Sequence, residues 1–117
     1  MKILHIFKIT GISGSENHLL TLLPALVKKG IRVGAVMMVE PGNPVNDFLK
    51  VLKAAGVDVF AVALGFDLSL PAFLKVREII RKQKPDIIHT HLIHGDLYGI
   101  LAARSLGIRN IISSKHN

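Results

Sequence analysis

Residues 2–39 read KILHIFKITGISGSENHLLTLLPALVKKGIRVGAVMMV, and three consecutive patterns within them decide the architecture. Lys2 to Phe7 is a short run suited to a β-strand, and the loop KITGIS follows it. Ser13, with Glu16 three residues on, makes a capping box in which each side chain can meet a free amide of a first helical turn, so a helix is expected to open there. Leu19, Leu22, Leu23 and Leu26 fall at helical spacing on one face, Lys28 and Lys29 supply a cationic last turn, and Gly30 supplies a left-handed cap. Pro24 removes a backbone donor inside that helix and crowds the preceding turn, which predicts a kink or an early break. Ile31 to Val39 is then nearly continuous in apolar and β-branched residues, as expected of a strand covered on both faces. Strand, helix and buried strand in succession make one βαβ unit.

The same alternation continues to the end of the chain. The turn Pro41 to Pro44 leads to a helix over Val45 to Ala55 closed by Gly56, a third strand over Val57 to Val62, and a helix over Leu70 to Lys84 opened by Ser69 and stopped by Pro85. Asp86 to His91 forms the fourth strand, Asp96 caps a helix to Leu106 with Gly107 behind it, and Asn110 to Ser114 forms the fifth strand. Five strands alternating with four helices, joined by right-handed crossovers, predict a doubly wound parallel α/β sheet of the Rossmann-like kind, with helices on both faces and strand order 3-2-1-4-5.

Composition narrows the function classes. The 117 residues, 50% of them apolar, suffice for one core and are expected to form a single domain over 1–117. Cysteine is absent, which excludes disulfides, thiolate catalysis and cysteine-bound zinc, and a cytoplasmic setting is expected. The apolar runs are too short for a bilayer span, and Met1 to Phe7 reads as a strand rather than a signal peptide, so a mature start is expected. Fifteen Lys and Arg against eight Asp and Glu give a formal charge of +7, which favours anionic partners. The cations lie at helix ends and turns and only five Phe and one Tyr accompany them, so nucleic acid is not expected as a partner. Contact with a membrane surface through Arg77 to Lys84 stays open.

In such a sheet the winding reverses between strands one and four, and ligands bind in the crevice at the carboxyl ends there. Three segments converge on it: Lys8 to Gly14, His91 to Asp96, and Lys115 to Asn117. Gly11 and Gly14 let the backbone approach a ligand, and the free amides of Ser15, Glu16 and Asn17 suit a phosphate. The dinucleotide-binding pattern fails, because counting from Gly11 it needs glycines where Ser13 and Glu16 stand, and the Walker pattern is absent. The segment HTHLIHGD, residues 89–96, approaches the HxHxDH of metallo-β-lactamases, but Ile93 occupies the aspartate position, and no metal is expected. His5 and His18 read as isolated structural residues, with His18 on the early turn of the first helix.

GISGSENH after the first strand, PDIIHTH at the fourth, LAARSLGIRN after it and IISSKHN at the fifth together resemble the amino-terminal domain of retaining glycosyltransferases of the GT-B fold, family 4. The resemblance implies an acceptor-side domain that works with a second Rossmann domain holding a nucleotide-diphosphate sugar, with a sugar, lipid or other small molecule as acceptor and no cofactor. It gives Gly14 and Ser15 contact with the donor diphosphate through their amides. Many relatives carry two adjacent glycines there, and Ser15 replaces the second. It makes His116 the catalytic-site histidine that faces the transferred sugar, and it places His91, His94 and His18 on the acceptor-side wall. The family's paired glutamates and basic pair belong to the second domain, so the chain is expected to be a truncated half, inactive alone, of an active transferase. Two other readings compete: a stand-alone phosphate- or nucleotide-binding module of flavodoxin-like fold, and a metal-dependent hydrolase built on His89, His91, His94 and Asp96.

Overall fold

The computed structural model describes the backbone of residues 1–9, 14–39, 46–63, 70–91 and 96–114. In chain order these form β1 (Lys2–Ile9), α1 (Gly14–Lys28), β2 (Arg32–Val39), α2 (Asn46–Ala54), β3 (Asp58–Ala63), α3 (Leu70–Gln83) and β4 (Ile87–His91). A π-helical turn, Asp96–Ile100, then runs directly into α4 (Leu101–Ser105), and β5 (Ile111–Ser114) follows. The five strands make one sheet in the order β3-β2-β1-β4-β5, every neighbouring pair parallel. This is the doubly wound order expected from the sequence.

Side chains alternate across the strands and so sort the core into two layers. Leu4, Ile6, Val36, Met38, Val62 and Ile88 face Ala72, Val76 and Ile80 of α3 and Ala102 and Ala103 of α4. Phe7, Val33, Ala35 and Met37 face the other way, against Leu19 and Leu23 of α1 and Leu52 of α2. Val33 to Met38 is buried without interruption, which is why β2 reads as a continuous apolar run rather than an alternating one. Each fully buried side chain of this size contributes roughly 1.5–3 kcal/mol of transfer free energy, so the layers rather than helix propensity hold the helices.

Helix ends follow the glycines. Gly30 has φ 86°, its amide donates to the Val27 carbonyl at 3.0 Å and the Ile31 amide to the Leu26 carbonyl at 3.2 Å, the paired bonds of a Schellman cap. The same pair of bonds closes α2 at Gly56 and α4 at Gly107. Pro24 does not break α1, which runs to Lys28. The proline forfeits one amide bond, while Leu23 before it and Leu26 and Val27 after it still pack onto the β2 side of the core. β1 extends two residues past the expected Phe7, because Lys8 and Ile9 find register partners in Met38 and Val39. The Ser13 and Ser69 caps lie outside the described residues.

The helix expected from Asp96 begins instead as a π turn. Gly99 within it lies so close to the sheet that a Cβ would stand 2.5 Å from Thr90 Cγ2 and 3.1 Å from Ile6 Cδ1. Thr90 is β-branched and buried in the middle of the sheet, so it has little room to give way. Gly99→Ala is therefore expected to destabilise the chain by about 1–3 kcal/mol through overpacking. Thermal denaturation should show the melting temperature falling by several degrees, and an unchanged value would mean that the turn does not press on β4.

Candidate functional site

The order reversal at β1 and β4 places the crevice at their carboxyl ends, and beneath it, on one face of these two strands, lie three imidazoles. β1 and β4 pair so that His5 lies beside His89, and the two-residue period of β4 puts His91 on the same face as His89. That face is the one that carries Phe7 and looks toward α1 and α2. His5 and His91 are each only 1% exposed, and His89 is half-buried.

The three rings form a triangular cluster, stacked in two of its pairs and tilted in the third. His89 and His91 have ring centroids 4.2 Å apart with planes inclined by 18°, His5 and His91 are 5.2 Å apart at 21°, and His5 and His89 are 4.9 Å apart at 33°. Phe7 meets His91 edge-on at 6.1 Å. His5 Nδ1 and His91 Nε2 are 2.9 Å apart and buried, so one donates a hydrogen bond and the other accepts it. His5 Nε2 has no hydrogen-bond partner among the described residues. An unpaired buried N–H costs more than an unpaired lone pair. We therefore assign the proton of this pair to His5 Nδ1, which leaves a lone pair on His5 Nε2. Burial pushes the His5 pKa down from 6.5 to about 3, with the charge on a protonated His89 opposing protonation further. His5 is a neutral base throughout the physiological range.

His5 was thus misread as isolated. Its partners stand at the far end of the sequence, and only the β1–β4 pairing brings them together. Gly14 and Ser15 are the first residues of α1, so the amides of residues 14–17 open that helix and have no acceptor within it. His18 lies on α1 one turn further on. His91 closes β4, with its ring inside the histidine cluster. His94 and His116 lie outside the described residues, as do the loops 10–13 and 92–95. Of the hydrolase set, His94 and the side chain of Asp96 lie outside the described residues; among the described residues, the imidazole brought beside His89 and His91 is that of His5.

The basic stretch Arg77 to Lys84 is partly occupied by its own neighbours. Arg77 donates to Ser105 Oγ at 2.9 Å, and Arg81 and Lys82 both pair with Glu78, whose carboxyl is held below its usual range by the Arg81 hydrogen bond. No helix among the described residues is long and apolar enough to cross a membrane.

Solved structures with the same fold have diverse roles. MurG from Acinetobacter baumannii superposes over 98% of this chain with a TM-score of 0.69 at 18% identity, and the match covers 35% of that protein. The UDP-GlcNAc 2-epimerase of Methanocaldococcus jannaschii gives a TM-score of 0.66 at 16% identity over 97% of this chain and 31% of its own length. The chain therefore spans about a third of the length of these two proteins. The C-terminal domain of PF1911 hydrogenase from Pyrococcus furiosus gives 0.62 at 20% identity over 98% of this chain and 90% of that one. At such identities the likeness shows the fold alone, and the fold hosts unrelated chemistries. No curated protein sequence matches the chain. The family assignment comes from sequence: residues 12–117, from the loop after β1 through β5 to the final Asn117, match the model of Glycosyltransferase Family 4. The chain belongs to Glycosyltransferase Family 4 and has the fold of a GT-B amino-terminal domain.

Proposed function

We propose that this chain is the acceptor-side half of a glycosyltransferase that moves a sugar from a nucleotide-diphosphate sugar to an acceptor with retention of anomeric configuration. The observation that carries this reading is the family match over residues 12–117, which includes the opening of α1 at the sheet's reversal point. A helix N-terminus aimed at the crevice offers amides and a positive dipole end to a diphosphate. Two of the proteins with the same fold differ in role, but the epimerase carries UDP-GlcNAc in its name, which supports a nucleotide sugar as ligand here. The acceptor is a sugar, a lipid or another small molecule, and the setting is cytoplasmic.

Retaining transfer passes through an oxocarbenium-like state with charge building on the leaving diphosphate. Residues 14–17 supply amides from one side only, and the opposing cations come from a second domain. Gly14 and Ser15 hold the diphosphate, His116 orients the transferred sugar, and His91, His94 and His18 wall the acceptor side. His91 is buried, so it backs that wall from beneath rather than touching the acceptor, held by His5 and Phe7.

Without the second domain the chain should fold and not turn over. Incubation of the purified chain with a panel of nucleotide sugars should release no nucleotide at rates of about 1 per second or more, the ordinary enzyme range. Release at such rates from this chain alone would show that one domain suffices, and the half-site reading would fall.

A further inference from the structure

We propose that His5, His89 and His91 form a tris-imidazole site for a borderline transition-metal ion such as Zn2+ or Co2+, bound within the sheet beneath the crevice. One ring nitrogen from each histidine can be chosen so that all three lie within 4.8 Å of one another. The inference does not depend on sugar transfer.

Two features support it beyond the clustering. His5 Nε2 is a buried polar atom with no partner among the described residues, and a cation is one way such an atom is satisfied. The three ligands come from two paired strands at adjacent register positions, His5 beside His89 and His91 two residues on, so the backbone that carries them is rigid. Neutral imidazole favours Zn2+, Cu2+, Ni2+ and Co2+ over Mg2+ and Ca2+, and among the described residues the cluster holds imidazoles alone.

The site is not preformed. Nitrogens bound tetrahedrally at 2.0–2.1 Å stand roughly 3.3 Å apart, and the near-parallel rings do not yet aim their lone pairs at one point. Binding must close the widest separation, at most 4.8 Å, by up to about 1.5 Å, turn the rings, and exchange the 2.9 Å hydrogen bond between His5 and His91 for coordination. No covalent bond breaks and no redox step is involved. With three protein ligands, the fourth position belongs to water, as in open zinc sites. An ion there would tie β1 to β4.

The test is a titration of chelator-treated chain with Zn2+, followed through the imidazole 15N resonances, with Co2+ absorption as a second readout. One equivalent should move the ring nitrogens of His5, His89 and His91 together, and Co2+ should give the intense visible bands of a four-coordinate site. His5→Gln and His89→Gln should each weaken binding at least tenfold. If either variant fails to fold, the wild-type resonances decide alone. Zn2+ that perturbs only His18, His94 or His116, or that binds His5→Gln as tightly as wild type, overturns the proposal.

Discussion

His116→Ala should lower turnover about a hundredfold in the two-domain enzyme proposed here, while the melting temperature of the isolated chain stays within a degree or two of wild type. In sequence His116 follows Ser114, the last residue of β5, by two residues and lies beyond the apolar run of that strand. Its proposed work is to hold the anomeric carbon against the acceptor. Misplacement of a reacting group by about an ångström costs on the order of a hundredfold in rate, which sets the size of the expected loss. The kcat of the variant enzyme is the measurement, alongside its circular dichroism to show that the fold survives. An enzyme that kept full activity with His116→Ala would remove this histidine from the site, and a large drop in chain stability would make it a structural cap of the sheet instead.

Acid should destabilise the metal-free chain earlier than its carboxylates alone would. The His5 pKa falls from 6.5 to about 3 on folding, through burial first and the neighbouring His89 second. Between those values the unfolded chain takes up a proton that the folded chain refuses, so stability is full above about pH 6.5 and declines as pH falls toward 3. A single such group removes about 2 kcal/mol between pH 7 and pH 5. Urea denaturation at the two pH values, with chelator present, measures it. His5→Gln should flatten most of the slope. Equal stability of the wild-type chain at pH 7 and pH 5 would mean that the cluster accepts a proton without cost.

The fold was legible because each local signal agreed with the next. The glycines at 30, 56 and 107 closed their helices as their positions indicated, and the unbroken apolar run of β2 marked a strand buried on both faces. Pro24 misled, since its local cost is set against a helix face whose leucines lie on both sides of it. The π turn at Asp96–Ile100 was illegible for a different reason: it sits where Gly99 touches Thr90, a contact between elements that no local pattern encodes. The histidine cluster failed in the same way. His89 and His91 were visible as strand neighbours, but their link to His5 spans 86 residues and exists only once β1 and β4 pair. Nothing in the spacing of HTHLIHGD points to His5, which only the sheet brings alongside from the first strand.

Titration of the 15N-labelled chain with a nucleoside diphosphate tests most directly whether the opening of α1 is the diphosphate half-site. Binding should be weak, because amides from only one domain are present, and the amide shifts should centre on residues 11–17, which lead into and open α1 in the sequence. Shifts centred on Arg77 to Lys84 would instead report attraction to the exposed cations of α3, and would contradict the placement of the donor diphosphate at Gly14 and Ser15.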